Sequence, residues 1–116
     1  KSPCDAISAQ ELTPALISQA GLQANCSACA ETLALFVSVY GSETGNLALR
    51  GVASSGVFIG GGIAPKILQS LSKGSFMEAF RNKPPMTELL SQFPVKVILN
   101  EEAGLVGAAV FANSLC

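Results

Sequence analysis

The sequence predicts an α/β fold with a few parallel strands and several packed helices. Residues 57–59 form a wholly apolar run, as expected for a parallel strand that is covered on both faces, and residues 95–99 form a second strand pattern. Helical patterns precede, separate and follow these runs, an order typical of α/β proteins with parallel strands. Two strands are too few for a self-sufficient sheet, so we expect the rest of the sheet to come from elsewhere.

The first two helical patterns occupy the N-terminal half. Residues 8–11 have the capping-box pattern, Thr13-Pro14 offers a second possible start, and Gly21 ends this helix. The longest pattern covers residues 27–50. Its apolar residues cover so much of the helix circumference that we expect the helix to be buried between two layers.

Gly41 and Gly45 lie inside that long helical pattern and share one face, because they are four residues apart. Each costs about 1 kcal/mol relative to alanine in a helix interior. Close approach of another backbone or of a ligand would compensate, and we expect close packing on a sheet.

The remaining helices are predicted from caps and breakers. Pro65 at the first helical position opens a helix over residues 65–71. Residues 75–78 have a capping-box pattern that starts a helix ending near residue 82, and a short helix covers residues 86–92. Asn100 can cap a last helix that runs from residue 103 to residue 115.

Gly60, Gly61 and Gly62 stand between the first predicted strand and the helix at Pro65. A helix N-terminus presents unpaired N–H groups, which suit an anionic or polar ligand. Without side chains, the loop would let a flat or bulky ligand lie on the backbone. The alternative is that the glycines only turn the chain.

The composition bounds the possible functions. The chain has 116 residues, which corresponds to one compact domain or less. Of these residues 49% are hydrophobic and only 13% charged, so a chain of this length cannot easily bury all of its apolar surface by itself. We infer a generous interface or a piece of a larger protein. A net charge of −1 without basic runs argues against nucleic-acid binding, and the absence of a long apolar run argues against a membrane span.

The four cysteines do not form a recognisable metal site. Cys26 and Cys29 are close in sequence, but zinc would need a second pair or histidines, and the chain has no histidine. A thioredoxin-like pair would follow a strand, whereas the preceding segment has a helical or loop pattern. We interpret Cys26 and Cys29 as reduced cysteines at a helix N-terminus in a cytosolic protein.

An ordered series of motifs resembles the C-terminal portion of bacterial-type glucokinase. The motifs are GNLAL at residues 45–49, GVFIGGGIAP at residues 56–65, and GLVGA at residues 104–108. SFMEAF at residues 75–80 is similar to the Phe-x-x-Ala-Phe segment of that family, and the likeness covers residues 26–109.

The resemblance implies a partial actin-like ATPase lobe, of the ribonuclease H-like kind, from the sugar-kinase, actin and heat-shock ATPase superfamily. It implies a linker-like start at residues 1–7, part of the large nucleotide-side lobe at residues 8–99, and a connecting C-terminal helix at residues 100–116. The predicted adenosine-binding residues are Gly60, Gly61, Gly62, Ile63, Ala64 and Pro65. Gly104 and Gly107 would form a hinge between the lobes.

In the whole enzyme, the resemblance implies that ATP with Mg²⁺ phosphorylates glucose. The catalytic residues of the family have no counterpart in this chain, which also offers no metal ligand, so we expect it to be inactive without an N-terminal kinase portion. We further expect a cytoplasmic homo-oligomer. Alternatives are another sugar kinase of the same superfamily and a non-catalytic oligomerisation or regulatory module.

Overall fold

A computed structural model describes residues 13–23 and 26–116 of the chain. In chain order the elements are helices α1 (Pro14–Leu22) and α2 (Ser27–Gly51), strand β1 (Val57–Ile59), helices α3 (Ile63–Lys66), α4 (Leu68–Leu71), α5 (Ser75–Arg81) and α6 (Thr87–Leu90), strand β2 (Val95–Val97), and helix α7 (Ala103–Leu115).

Strands β1 and β2 pair in parallel, with Val57 opposite Val95 and Ile59 opposite Val97. The predicted α/β class with parallel strands is therefore confirmed. The prediction that β1 is covered on both faces is wrong for this chain, because Ile59 is buried whereas Phe58 is 62% exposed. Successive strand side chains point to opposite faces, so one face of the sheet packs on the core and the other is open.

Helix α2 is the longest element and matches the predicted range to within one residue. One face of α2 is buried, through residues that include Leu33, Val37 and Ala48. Leu35 and Val39, in contrast, are 66% and 59% exposed. Burial between two layers is thus wrong for this chain, since a single layer covers α2.

Gly41 and Gly45 allow another element to pack closely against the buried face of α2. A Cβ added at Gly41 would collide with the backbone carbonyl of Phe76, and one added at Gly45 would collide with that of Phe80. Both carbonyls belong to α5, so the expected close approach of another backbone is confirmed. The partner is a helix, however, and the expected packing on a sheet is wrong.

The core consists mainly of two clusters that both rest on α2. The larger cluster joins α2 to β1 and the helices that follow it, and comprises Leu33, Val37, Ile59, Ala64, Ile67, Leu71 and Phe76. The second comprises Ala48, Phe80, Leu90 and Phe93. Tyr40 extends the first cluster, with its ring in edge contact with that of Phe76 at 5.7 Å between centroids.

Helix α1 begins at the second of the two predicted starts. Pro14 is its first residue, and the hydroxyl of Thr13 accepts a hydrogen bond from the Leu16 N–H at 3.2 Å. This is the expected cap, since a side-chain oxygen pairs one of the unpaired N–H groups of the first turn. The capping-box pattern at residues 8–11 lies outside the described residues.

The helix predicted over residues 65–71 is two four-residue helices, α3 and α4, separated at Ile67. Pro65 is the third residue of α3 and does not open it; a proline fits there because the first helical turn needs no N–H from it. Ala64, Ile67 and Leu71 are nonetheless all buried. The chain therefore keeps one apolar face against the core across the break.

Two other predicted caps differ in the structure. Helix α5 begins at Ser75 directly after Gly74, whose φ is 103°, and no side chain caps it, so the capping box at residues 75–78 is not formed. The side chain of Asn100 accepts a hydrogen bond from the Glu102 N–H at 3.0 Å, which forms a turn before α7 begins at Ala103.

The cysteines at the start of α2 differ from one another. Cys26 is the N-cap residue, and its sulfur accepts a hydrogen bond from the Cys29 N–H at 3.4 Å. Cys29 is free and buried. Cys26 is disulfide-bonded, so the interpretation of both residues as reduced thiols is wrong for Cys26. Over residues 13–23 and 26–116, no group of three acidic, cysteine or histidine side chains could hold a metal ion.

Within the same described ranges, no single helix combines the length and hydropathy needed to cross a bilayer. Helices α1 and α2 satisfy both requirements only when taken together, and their axes are bent by 103° relative to each other.

Candidate functional site

The glycine loop leaves the end of β1 and enters α3, and all three of its glycines are exposed. They are not equivalent. Gly61 has a φ of 102°, a conformation that only glycine adopts readily. Gly62 has a φ of −84°, and a Cβ added there would meet no atom within 4 Å. Neither the backbone nor the packing of the described residues requires glycine at position 62.

A cavity of about 830 Å³ opens beside this loop, between α1 on one side and the α2 and α3 helices on the other. Its volume lies within the range of about 300–1,000 Å³ that is typical of small-molecule pockets. We call it the loop pocket. Its lining residues are Pro14, Ala15, Ile17, Ser18, Gln19, Leu22, Thr32, Phe36, Gly62, Ile63, Lys66 and Ile67.

The predicted adenosine-binding residues divide into three groups around this pocket. Gly62 and Ile63 line it directly. Gly60, Gly61 and Pro65 lie within two residues of this pair in the chain but are not among the lining residues. Ala64 is 1% exposed and packs in the larger core cluster, so its side chain anchors α3 to the core and faces no ligand.

Most of the pocket wall comes from residues that the sequence motifs did not indicate. Helix α1 supplies half of the lining residues, and α2 adds Thr32 and Phe36. These residues belong to no recognisable motif. The sequence offered no signal for them, because Phe36 is only one of many apolar positions in the long helical pattern.

The chemistry of the loop pocket is an apolar wall with few polar groups. The hydroxyl of Ser18 donates to the Pro14 carbonyl and that of Thr32 to the Ala28 carbonyl, each at 2.8 Å, so both protons are used within their own helices. Lys66 is the one charged side chain among the described lining residues, and it is exposed. This combination suits a flat apolar group that carries a negative charge at one end.

The aromatic residue of the wall is held in place by its neighbours. Phe36 is 44% exposed, and its ring lies 5.6 Å from that of Tyr40, between centroids. Tyr40 in turn contacts the buried Phe76. Phe36 is therefore connected to the core through Tyr40 and remains partly accessible.

The predicted hinge residues lie on α7, away from the core clusters. Gly104 and Gly107 are exposed, and a Cβ added at either would meet no atom within 4 Å. Helix α7 has no buried residue, although its side chains are mostly apolar; Leu105 and Leu115 are both 73% exposed. Nothing in the described part of the chain covers this helix.

Comparison with known proteins relates the chain to one family. The family model described as glucokinase matches residues 2–115. The chain is 46% identical over 98 residues to a glucokinase from Synechocystis and 43% identical over 101 residues to one from Nostoc; the matches cover 84% and 87% of this chain. A glucokinase from Brucella suis is 41% identical over 102 residues, 88% of this chain.

A solved structure shows that the fold of this chain is also that of a glucokinase. The crystal structure of a glucokinase from an Antarctic psychrotroph superposes with a TM-score of 0.77 at 37% identity, over 90% of this chain and 33% of that one. The chain spans 28% of the Synechocystis protein and 30% of the Nostoc and Brucella proteins. This share fits the C-terminal portion that the motifs predicted. The chain therefore belongs to the glucokinase family.

Proposed function

We propose that the chain is the C-terminal, nucleotide-side part of an ATP-dependent glucokinase, and that the loop pocket holds the adenosine part of ATP. The observation that carries the proposal is the pocket of about 830 Å³ at Gly62 and Ile63, two of the residues predicted for this role. The apolar walls accommodate a base and the bare backbone at Gly62 leaves room beside it. Lys66 stands where it can approach the phosphate chain.

In the complete enzyme, ATP with Mg²⁺ transfers its γ-phosphate to the 6-hydroxyl of glucose. Such a transfer depends on positioning and on neutralisation of charge. The described residues contain no cluster of metal ligands, and we place the Mg²⁺ ligands, the base that accepts the sugar proton and the glucose-binding residues in the missing kinase portion. This chain alone is then inactive.

We assign α7 to the connection between the two lobes, with Gly104 and Gly107 as the hinge. The support is its surface: Val110 and Phe111 are each 66% exposed, and the side chains of the helix are mostly apolar. A helix of this kind is normally buried. The missing portion of the kinase provides the cover. The complete enzyme is expected to be a cytoplasmic homo-oligomer.

A chimeric enzyme tests the proposal. The segment of the Synechocystis glucokinase that matches this chain is replaced by residues 13–116, and glucose phosphorylation by ATP is followed by a coupled assay for glucose 6-phosphate. We expect activity from the chimera and none from the isolated chain. A folded chimera that cannot bind ATP, or an isolated chain that phosphorylates glucose, would contradict the proposal. Circular dichroism and gel filtration establish that the chimera is folded.

A further inference from the structure

We propose that Gln19 determines nucleotide specificity by selecting adenine over guanine in the loop pocket. The inference rests on the proposed function, since it takes the pocket to be the place of the nucleotide base. Gln19 lies on α1, lines the pocket together with Gly62 and Ile63, and is exposed. It belongs to none of the motifs that indicated the family.

Gln19 differs from the other polar groups of the wall. Ser18 and Thr32 donate their hydroxyl protons to carbonyls of their own helices. Lys66 carries donors only. Over the described part of the chain, no side-chain hydrogen bond engages Gln19, whose carboxamide offers both donors and an acceptor. Among the lining residues that the structure describes, Gln19 is thus the one whose side chain can both donate and accept a hydrogen bond without breaking another.

A carboxamide fits adenine and does not fit guanine. Adenine presents the N7 acceptor beside the N6 amino donor, so the amide nitrogen and oxygen of a glutamine can pair with both. Guanine presents N7 and O6, which are both acceptors, and the carboxamide oxygen would face an acceptor. A good bidentate pair of this kind discriminates against the wrong base by about tenfold to a hundredfold.

Phe36 provides the matched comparison within the same pocket. Its ring contacts that of Tyr40, which connects it to the core, and the residue is 44% exposed. Stacking on an aromatic ring tolerates any base, because every base has a π-face. Phe36 therefore contributes the same binding affinity for every nucleotide, whereas Gln19 contributes the difference in affinity between ATP and GTP.

The test uses the complete kinase and measures kcat and KM for ATP, GTP and ITP at saturating glucose. ITP carries the O6 acceptor of guanine without the 2-amino group. It therefore differs from ATP at the base edge with which the Gln19 carboxamide would pair. Leucine is chosen as the replacement because it preserves the helix and the approximate size of the side chain. We expect Gln19→Leu to raise KM for ATP about tenfold and to leave KM for ITP, KM for GTP and KM for glucose within about twofold.

Phe36→Leu should raise KM for all three nucleotides by a similar factor, without changing their ratios. If Phe36→Leu behaves in this way and Gln19→Leu leaves the ratio of ATP to ITP unchanged, Gln19 does not read the base, and the pocket keeps its proposed role. If neither variant changes KM for any nucleotide, the base binds elsewhere and the proposed placement of ATP fails as well. Thermal unfolding of each variant shows whether a change in KM comes from loss of the folded structure. Gln19→Ala serves as a second replacement at the same position.

Discussion

Gly61 and Gly62 of the loop differ in whether the protein itself requires a glycine. At Gly61 the reason is the backbone, whose φ of 102° is unfavourable for any side chain. At Gly62 the backbone would accept alanine, and the space beside it is open. A glycine that the protein itself does not need is consistent with a ligand that passes close to it.

Alanine substitutions should therefore separate the two glycines. In the complete kinase, we expect Gly62→Ala to raise KM for ATP about tenfold with no change in the free energy of unfolding, because its Cβ meets only the ligand. Gly61→Ala should lower the free energy of unfolding by about 1–2 kcal/mol, because of its backbone conformation. Steady-state kinetics with ATP and glucose varied separately, and urea unfolding, measure the two effects. An unchanged KM for ATP in a folded Gly62→Ala variant would remove the loop from the nucleotide site.

At the scale of elements, the packing of α2 on α5 organises the molecule. Both core clusters use α2, and its contact with α5 is the most extensive between described elements. The two helices approach so closely at Gly41 and Gly45 that backbone carbonyls of α5 occupy the space of the missing side chains. The destabilising effect of glycine within a helix is thus offset by contacts that only glycine permits.

A substitution at Gly41 should show this dependence. We expect Gly41→Val to lower the free energy of unfolding of the complete kinase by about 3 kcal/mol or more, because the new side chain meets the rigid carbonyl of Phe76 and forces the helices apart. Gly51→Ala is the matched control at the end of the same helix, where a Cβ meets nothing within 4 Å. It should be neutral or stabilising by up to about 1 kcal/mol. Equal effects of the two substitutions in urea unfolding would show that the helices have room to separate.

The sequence predicts the elements better than it predicts the site. Helix α2 follows from a periodicity sustained over 25 residues, and the paired strands follow from short segments rich in β-branched residues. The break at Ile67 and the uncapped start of α5 depend on how the chain enters each helix, which local patterns do not determine. The loop pocket is harder still, since Gln19, Phe36 and Ile63 come from three separate segments and meet only through the tertiary fold.

At the scale of the whole molecule, the chain exposes several large apolar surfaces. Large apolar side chains are exposed on the outer side of α2, on β1 and along α7; among them are Leu35, Phe58 and Phe111, each more than 60% exposed. Patches of this kind mark contact sites for other protein surfaces. The chain spans less than a third of its glucokinase relatives in Synechocystis, Nostoc and Brucella, and we propose that these faces contact the rest of a longer kinase chain.

The surface of α7 gives the sharpest test of this interpretation. We expect Phe111→Ser to lower the free energy of unfolding of the complete kinase by about 3–5 kcal/mol, because a phenyl ring buried between the lobes is lost. In the isolated chain the ring is 66% exposed, so the same change should reduce self-association in gel filtration without disturbing the helix content seen by circular dichroism. Lys73→Gln, at another exposed position, should be within about 0.5 kcal/mol of the unsubstituted kinase and should leave self-association unchanged. A Phe111→Ser kinase as stable as the control would mean that α7 stays exposed in the complete enzyme and does not join its lobes.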